Sequence, residues 1–201
     1  MSCLFFSINS FAKTLDGYYI TLEDDTIEAQ LEIPVFFGVF FREIQQGVKV
    51  KDKYIHNKSL NLYPENIKEY GFEFKGKQIR MISCYDPLKN CYYNQKHSTF
   101  IFLRLVQEGK HLSYFQFQYK AGDRPGQKEG WMTSKLHFFR KGESGEIYRH
   151  RPWKFKKDLA NYLSDCSEVK EKILNKTYRR KDVEIIIDQY DKCIDYLDKK
   201  Y

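Results

Sequence analysis

Apolar and polar residues alternate along Gly17 to Ile33: Tyr18, Ile20 and Leu22 against Tyr19, Thr21 and Glu23, then Ile27, Ala29, Leu31 and Ile33 against Glu28, Gln30 and Glu32. A period of two puts one apolar face on an extended chain, and Asp24-Asp25 supplies turn residues between the runs, so this stretch predicts a hairpin. Pro34, which has no backbone donor, is expected to interrupt the ladder. Val35 to Phe41 (VFFGVFF) is apolar on both faces and predicts a buried strand, with Gly38 marking a bulge or a close backbone approach. Val48 and Val50, extended by Tyr54, continue after Gly47.

Further hairpins follow in the pattern. Pro64-Glu65-Asn66 begins a turn, and Phe72, Phe74, Ile79, Met81 and Ile82 suggest two strands around Lys75-Gly76-Lys77. Thr99 to Val106 pairs with Leu112 to Tyr119 through Glu108-Gly109-Lys110, and its doubly apolar first strand is expected to be central. Ala121 to Gly130 carries glycines and a proline but no large apolar residue, and reads as a mobile surface loop. Trp131 to Arg140 and Glu146 to His150 form a last hairpin across Lys141 to Gly145.

From Trp153 the period lengthens to about 3.6. Phe155, Leu159, Tyr162 and Leu163 share one helical face, Val169, Ile173 and Leu174 a second, and Val183, Ile186, Ile187, Tyr190, Ile194 and Leu197 a third. Asp165 followed by Glu168 resembles a capping box for the middle helix. The pattern thus predicts a mainly β fold with C-terminal helices (α+β). An antiparallel, hairpin-built sheet, as a sandwich or an open barrel, spans 13–151, and three short helices in a tail, 152–201, pack on it.

Composition supports a folded, β-leaning chain: 42% of residues are hydrophobic and 17% aromatic, too many for a disordered segment. The net charge of +7 suits an anionic partner and equally serves solubility. No run approaches the roughly 18 apolar residues of a membrane span. Residues 1–12 read as a signal-peptide remnant. Cys3 to Phe11 (CLFFSINSF) is a short apolar run, and Ser10-Phe11-Ala12 suits a signal-peptidase cut after Ala12, although a basic start is missing; the alternative is that the segment is a first strand, which would leave the chain cytoplasmic.

Removal of Cys3 would leave Cys84, Cys91, Cys166 and Cys193 as disulfide candidates. Cys84 and Cys91 flank an Asp86-Pro87 turn that either brings their sulfurs together or leaves two thiols. If the last two helices form an antiparallel hairpin turning near Arg179, Cys166 falls opposite Lys192 and beside Cys193.

Local catalytic signatures are absent: there is no nucleophile elbow, P-loop, HExxH, EF-hand loop or Rossmann fingerprint. Gly142-Glu143-Ser144-Gly145 comes nearest to GxSxG and sits where a hairpin needs flexible residues. His56, His97, His111, His137 and His150 lack ligand spacing, so no metal or cofactor is expected, and each is expected at a surface or strand end. Cys91 with His97, or Cys84 with His111, has the residue types of a thiol nucleophile and its base. Asp24 and Asp25 are a carboxylate pair in a turn.

The most functional-looking stretch interleaves charge and rings: Arg149, Arg151, Trp153, Lys154, Lys156 and Lys157, with His150 and Phe155 between. Such a segment grips phosphates while rings stack on bases or sugars; the structural alternative is that Trp153 and Phe155 dock a helix and the lysines are solvated.

The segments GYYITLEDDTIEAQLEIP, YPENIKEYGFEF and FKKDLANYLSDCSEVKEKILNKTYRRKDVEIIIDQYD resemble a set of small exported proteins of unknown function from Gram-negative bacteria, built as a signal peptide, β-hairpins and short C-terminal helices. The resemblance implies a periplasmic or cell-surface location and brings no active site. The expected function is an exported, non-enzymatic binding or structural module with an envelope protein or glycan as partner. Two alternatives are a binder of anionic polymer, polysaccharide or nucleic acid, through 149–157, and an enzyme whose site is assembled from distant residues.

Overall fold

The computed structural model describes residues 11–35, 37–51, 59–85, 100–120, 133–151 and 154–200. These residues form ten strands and four α-helices, the last helix at the C-terminus. The strand pairings are antiparallel, and the sheet is not closed into a barrel. The chain divides into two compact units, Met1–Cys84 with Phe100–Phe102, and Tyr85–Thr99 with Leu103–Tyr201. Residues 13–151 are thus shared between the units, and the tail belongs to the second.

In the first unit, β1 (Phe11–Thr21), β2 (Thr26–Val35), β3 (Val48–Lys51), β4 (Ser59–Leu62), β5 (Ile67–Phe74) and β6 (Lys77–Tyr85) lie in the order β6-β5-β1-β2-β3-β4. The turn between β1 and β2 forms around Asp24, which takes a left-handed φ of 73°. Lys75 and Gly76, at φ 53° and 70°, have the two positive φ angles of a type I′ hairpin. Gly17 is required where β1 meets β5, because a Cβ there would lie 2.3 Å from the Gly71 carbonyl oxygen. Alternate positions 29, 31, 33 and 35 of β2 fill the core with Val48, Val50, Tyr70, Phe72 and Met81. Full burial of an aliphatic or phenyl side chain such as Leu31 or Phe72 contributes about 1.5–3 kcal/mol before chain entropy is counted.

Two expectations for this unit are corrected. Pro34 does not break the ladder: β2 runs through it to Val35, because β3 pairs only with Gln30 to Glu32 and the far end of β2 needs a donor on one side at most. VFFGVFF does not form a buried strand. The chain reverses after Val35, the Phe40 amide donates to the Pro34 carbonyl, and Phe41–Ile44 becomes a single helical turn, α1. This reversal splits the apolar run, burying Val35 and Phe41 and leaving Phe37 84% exposed; a Cβ on Gly38 would meet nothing. The Tyr70 hydroxyl donates to the Ile44 carbonyl at 2.6 Å, anchoring α1 to the core.

In the second unit, β7 (Phe100–Gln107), β8 (Leu112–Lys120), β9 (Thr133–Lys141) and β10 (Tyr148–His150) follow one another in space as in sequence. The first residues of β7 belong to the first unit. Helices α2 (Phe155–Tyr162), α3 (Ser167–Leu174) and α4 (Val183–Asp198) cover one face. There Leu112, Tyr114 and Phe139 pack with Leu159, Leu163, Val169, Ile173, Ile186, Ile187 and Tyr190. Each helix buries the centre of the stripe predicted from its period, whereas Leu174, also predicted for the middle stripe, is exposed and Leu197 is only half-buried.

Polar bonds fix the helical layer. Asp191 accepts the backbone amides of Lys110 and His111 at 2.6 and 2.9 Å, while Asp195 takes the Lys110 ammonium and His111 Nε2. Asp165 does not cap α3 as expected. Its carboxylate accepts from the Tyr190 hydroxyl at 2.6 Å and Lys141 Nζ at 2.7 Å, Cys166 becomes the N-cap, and Glu168 pairs with Lys172. Burial alone would raise the Asp165 pKa, but those bonds outweigh it and lower it. Cys166 and Cys193 form a disulfide with their Cα atoms 6.2 Å apart, tying the residue before α3 to α4.

Candidate functional site

Within the segment 149–157, Arg151 grips Asp158 through two bonds of 2.8 and 3.1 Å, and Arg149 is half-buried on β10. Lys154, Lys156 and Lys157 are exposed around the start of α2. Trp153 lies outside the described residues. Phe155 stacks edge-on against His150, with centroids 4.7 Å apart, and so fastens α2 to the strand edge.

A more organised set of polar groups crosses the sheet in a straight row. Arg104 on β7 pairs with Gln116 on β8, Gln116 with His137 on β9, and His137 with His150 on β10. Residues directly opposite in antiparallel strands point to the same face, so these four side chains form one line. It lies on the helix-covered face, because Tyr114 and Phe139, two positions along β8 and β9, pack under the helices. The apolar half of this face thus ends in a polar half.

Two hydrogen bonds tie the row to Tyr114. Gln116 Nε2 donates to the Tyr114 hydroxyl at 2.8 Å, and the same hydroxyl is hydrogen-bonded to His137 Nδ1, 2.5 Å away. Burial, reinforced by the charges of Arg180, His150 and Lys135, lowers the His137 pKa to about 4. Burial lowers His150 as well, against an opposing pull from the Phe155 backbone and Asp158, and it raises Tyr114. At neutral pH the histidines and Tyr114 carry no charge, and the positive charge resides on the two guanidiniums, Arg104 and Arg180.

Arg180 begins the 3-10 turn Arg180–Asp182 between α3 and α4; it is exposed, yet its charge reaches Tyr114, His137 and His150. Among the described residues, none of Gln116, His137, His150 and Arg180 bonds to a carboxylate; Asp158, the acid nearest His150 in influence, is engaged by Arg151. His150 is 0% exposed, and neither ring nitrogen makes a hydrogen bond of good geometry, although the Phe155 backbone lies near enough to favour the protonated ring.

The expectation that each histidine sits at a surface or strand end is corrected for His137, which is buried in the middle of β9; His150 ends β10 as expected and is buried beside it. The signal was present in the sequence only as register: aligning the third and fourth hairpins places 104, 116, 137 and 150 side by side. His111 is held by Asp195, and His56 and His97 lie outside the described residues. Cys84 is buried on β6 with Sγ 3.6 Å from the Ile101 carbonyl oxygen, and Cys91 lies outside the described residues. Asp24 is exposed in its turn and pairs with Lys68. Among the described residues, no group of His, Cys, Asp or Glu is placed to hold a metal ion, and no helix is long and apolar enough to cross a membrane.

Comparison with protein-family models, with curated proteins and with solved structures found no match to this chain.

Proposed function

We propose that the chain is an exported binding module of the cell envelope and that the second unit carries its ligand site. The observation that supports binding is the line of polar side chains Arg104, Gln116, His137 and His150 on one face of the second unit, in which, among the described residues, neither Gln116 nor either histidine bonds to a carboxylate. The Cys166–Cys193 disulfide supports an oxidising compartment, where such bonds form and persist.

The test is the mature N-terminus and the thiol state of the protein recovered from fractionated cells. A shortened chain in the envelope fraction with Cys166 and Cys193 oxidised is expected. A chain retaining Met1, found only in cytosol with both thiols reduced, would overturn the reading. The alternative of an anionic-polymer surface at 149–157 draws on Lys154, Lys156 and Lys157; changing all three to Gln and finding unaltered, salt-dependent heparin binding would remove it.

A further inference from the structure

We propose that the open face of the first unit's sheet binds a glycan, the Tyr18 ring taking one sugar and a row of polar side chains beside it taking the next. The proposal goes beyond the reading above, which places a site in the second unit, and stands on the first unit alone.

Register builds the platform. Tyr18 on β1 lies opposite Gly71 on β5, and Gly71 lies opposite Arg80 on β6. Because Gly71 has no side chain, the tyrosine reaches across it: a Cβ there would lie 2.6 Å from Tyr18 Cε1 and 2.7 Å from its Cζ and hydroxyl oxygen. The hydroxyl donates to Glu69 Oε1, and Arg80 grips the same carboxylate through two bonds of 2.7 and 2.8 Å. Glu69 is 6% exposed, whereas Tyr18 stays partly exposed. An ion pair buried this far adds little net stability after desolvation, yet here it fixes the hydroxyl and with it the ring. A ring already ordered loses little entropy when a ligand stacks on it.

The next positions of the same parity carry the polar row. Asp16 lies opposite Gln30 on β2, Gln30 opposite Lys51 on β3, and Lys51 opposite Ser59 on β4. On the other side of Tyr18, Glu73 lies opposite Gln78, two residues along from Gly71 and Arg80. Alternate residues of a strand share a face and neighbouring strands are about 4.8 Å apart, so the row runs beside the ring across the sheet. Gln30 Nε2 donates to Asp16 Oδ1 at 3.4 Å. Helix α1 is anchored through Tyr70, which belongs to the core on the opposite face. Among the described residues of this unit no helix covers the row, and Asp16, Ser59, Glu73 and Gln78 are exposed.

The chemistry of the face suits a polyhydroxyl chain. A sugar ring presents C–H groups on its face, which pack on an aromatic ring, and hydroxyls at its rim, which both donate and accept. Gln30 and Gln78 also do both, Asp16 and Glu73 accept, and Lys51 donates. The strongest charges are compensated in place, Glu69 by Arg80 and Glu32 by Lys49 and Lys51 at 3.5 Å each. Asp16, Glu28 and Glu73 leave a small acidic excess, which a cationic peptide would also read, and the test separates the two.

The experiment titrates the full-length, oxidised, ¹⁵N-labelled protein by NMR. The probes are chitotetraose and maltotetraose, with tetralysine as the cationic control. Saturable shifts of the Tyr18, Gly71 and Gln30 amides are expected with at least one saccharide. Tyr18→Ala is expected to weaken binding about tenfold or more, as loss of a stacked ring implies. Glu73→Ala combined with Gln78→Ala changes exposed residues and keeps the core, and is expected to weaken it about fivefold. Lys192→Gln, on α4, is expected to leave it within about twofold. No saturable shift with either saccharide, an unchanged affinity in the Glu73→Ala, Gln78→Ala variant, or tighter binding of tetralysine at the same amides would each overturn the proposal.

Discussion

Replacing His150 with leucine should make this protein more stable, although the change strikes a fully buried residue. The ring is 0% exposed and neither nitrogen makes a hydrogen bond of good geometry, so the folded state carries one unmet donor and one unmet acceptor. Each unsatisfied buried group costs about 1–3 kcal/mol, and leucine is a close match in size without either. Against this, the substitution loses two ring contacts, with Phe155 at 4.7 Å and Phe139 at 6.4 Å, each contributing about 0.5–1.5 kcal/mol beyond area. The balance favours leucine by about 1–3 kcal/mol, and each kcal/mol raises Tm by about 2–4 °C in a chain of this size. Because the chain has two units, the assay is denaturant-dependent hydrogen exchange read on peptides of the second unit, with Tm as a global check. His137→Leu should move the opposite way by about 1–3 kcal/mol, since it takes from the buried Tyr114 hydroxyl its hydrogen-bond partner on the ring. A loss of more than about 1 kcal/mol in His150→Leu would refute the reasoning, because it would mean the ring nitrogens are satisfied in solution.

Three further outcomes test other parts of the structure. Converting Cys166 and Cys193 to alanine opens a loop with a sequence separation of 27 and should lower stability by about 3.6 kcal/mol in the chain-entropy model; a urea midpoint equal to that of the oxidised parent would contradict it. The stability gained by keeping His137 neutral is complete above its unfolded value of 6.5 and lost as pH falls through about 4. Urea midpoints should therefore fall across that window and fall less in His137→Gln, while Asp158, Asp165 and Asp195, all lowered, titrate beneath it. Gly109→Ala would push a methyl to 2.5 Å from both Asp191 Oδ2 and Ile187 Cγ2, and should cost about 1–3 kcal/mol with faster exchange at Lys110 and His111; unchanged exchange there would argue against the close approach of α4.

Much of the fold was legible because local rules and tertiary packing agreed. The alternation in 17–33, the Lys75-Gly76 turn, the Glu108 to Lys110 turn and the three helical stripes each needed only a short window, and the antiparallel turn near Arg179 placed Cys166 beside Cys193 from helical geometry alone. VFFGVFF was misread because a doubly apolar run does not say whether both faces are buried; a backbone bond from Phe40 to Pro34 decided it. Asp165 looked like a cap because its spacing to Glu168 is local, whereas Lys141 and Tyr190, which capture it, come from β9 and α4. The polar row was hidden for a related reason. Gln116 and Gln118 alternate with Phe115 and Phe117 and so resemble a solvent face, yet Leu112 and Tyr114, of the same parity, lie under helices. One strand face can be dry at one end and polar at the other, and only the helix ends mark the change.

The helical hairpin that carries Arg180 in its turn is held at both ends. The helical pair α3–α4 is fixed at its open end, where Cys166 joins Cys193, Asp165 holds Tyr190, and Asp191 and Asp195 clasp Lys110 and His111. Ile173, Val183, Ile186 and Ile187 then seat the pair on the sheet towards its closed end, where the 3-10 turn lies. From Cys193 back to Val183 the rigid path is about 15 Å of helix, at 1.5 Å per residue. The turn that carries Arg180 is therefore held by covalent and packed structure, and fixing its side chain would cost only rotamer entropy, up to about 2 kcal/mol. A basic residue on a free loop would add backbone ordering of about 1–2 kcal/mol per residue to that figure. The charge that helps to keep His137 neutral is thus carried on a disulfide-tied hairpin, not on a flexible arm.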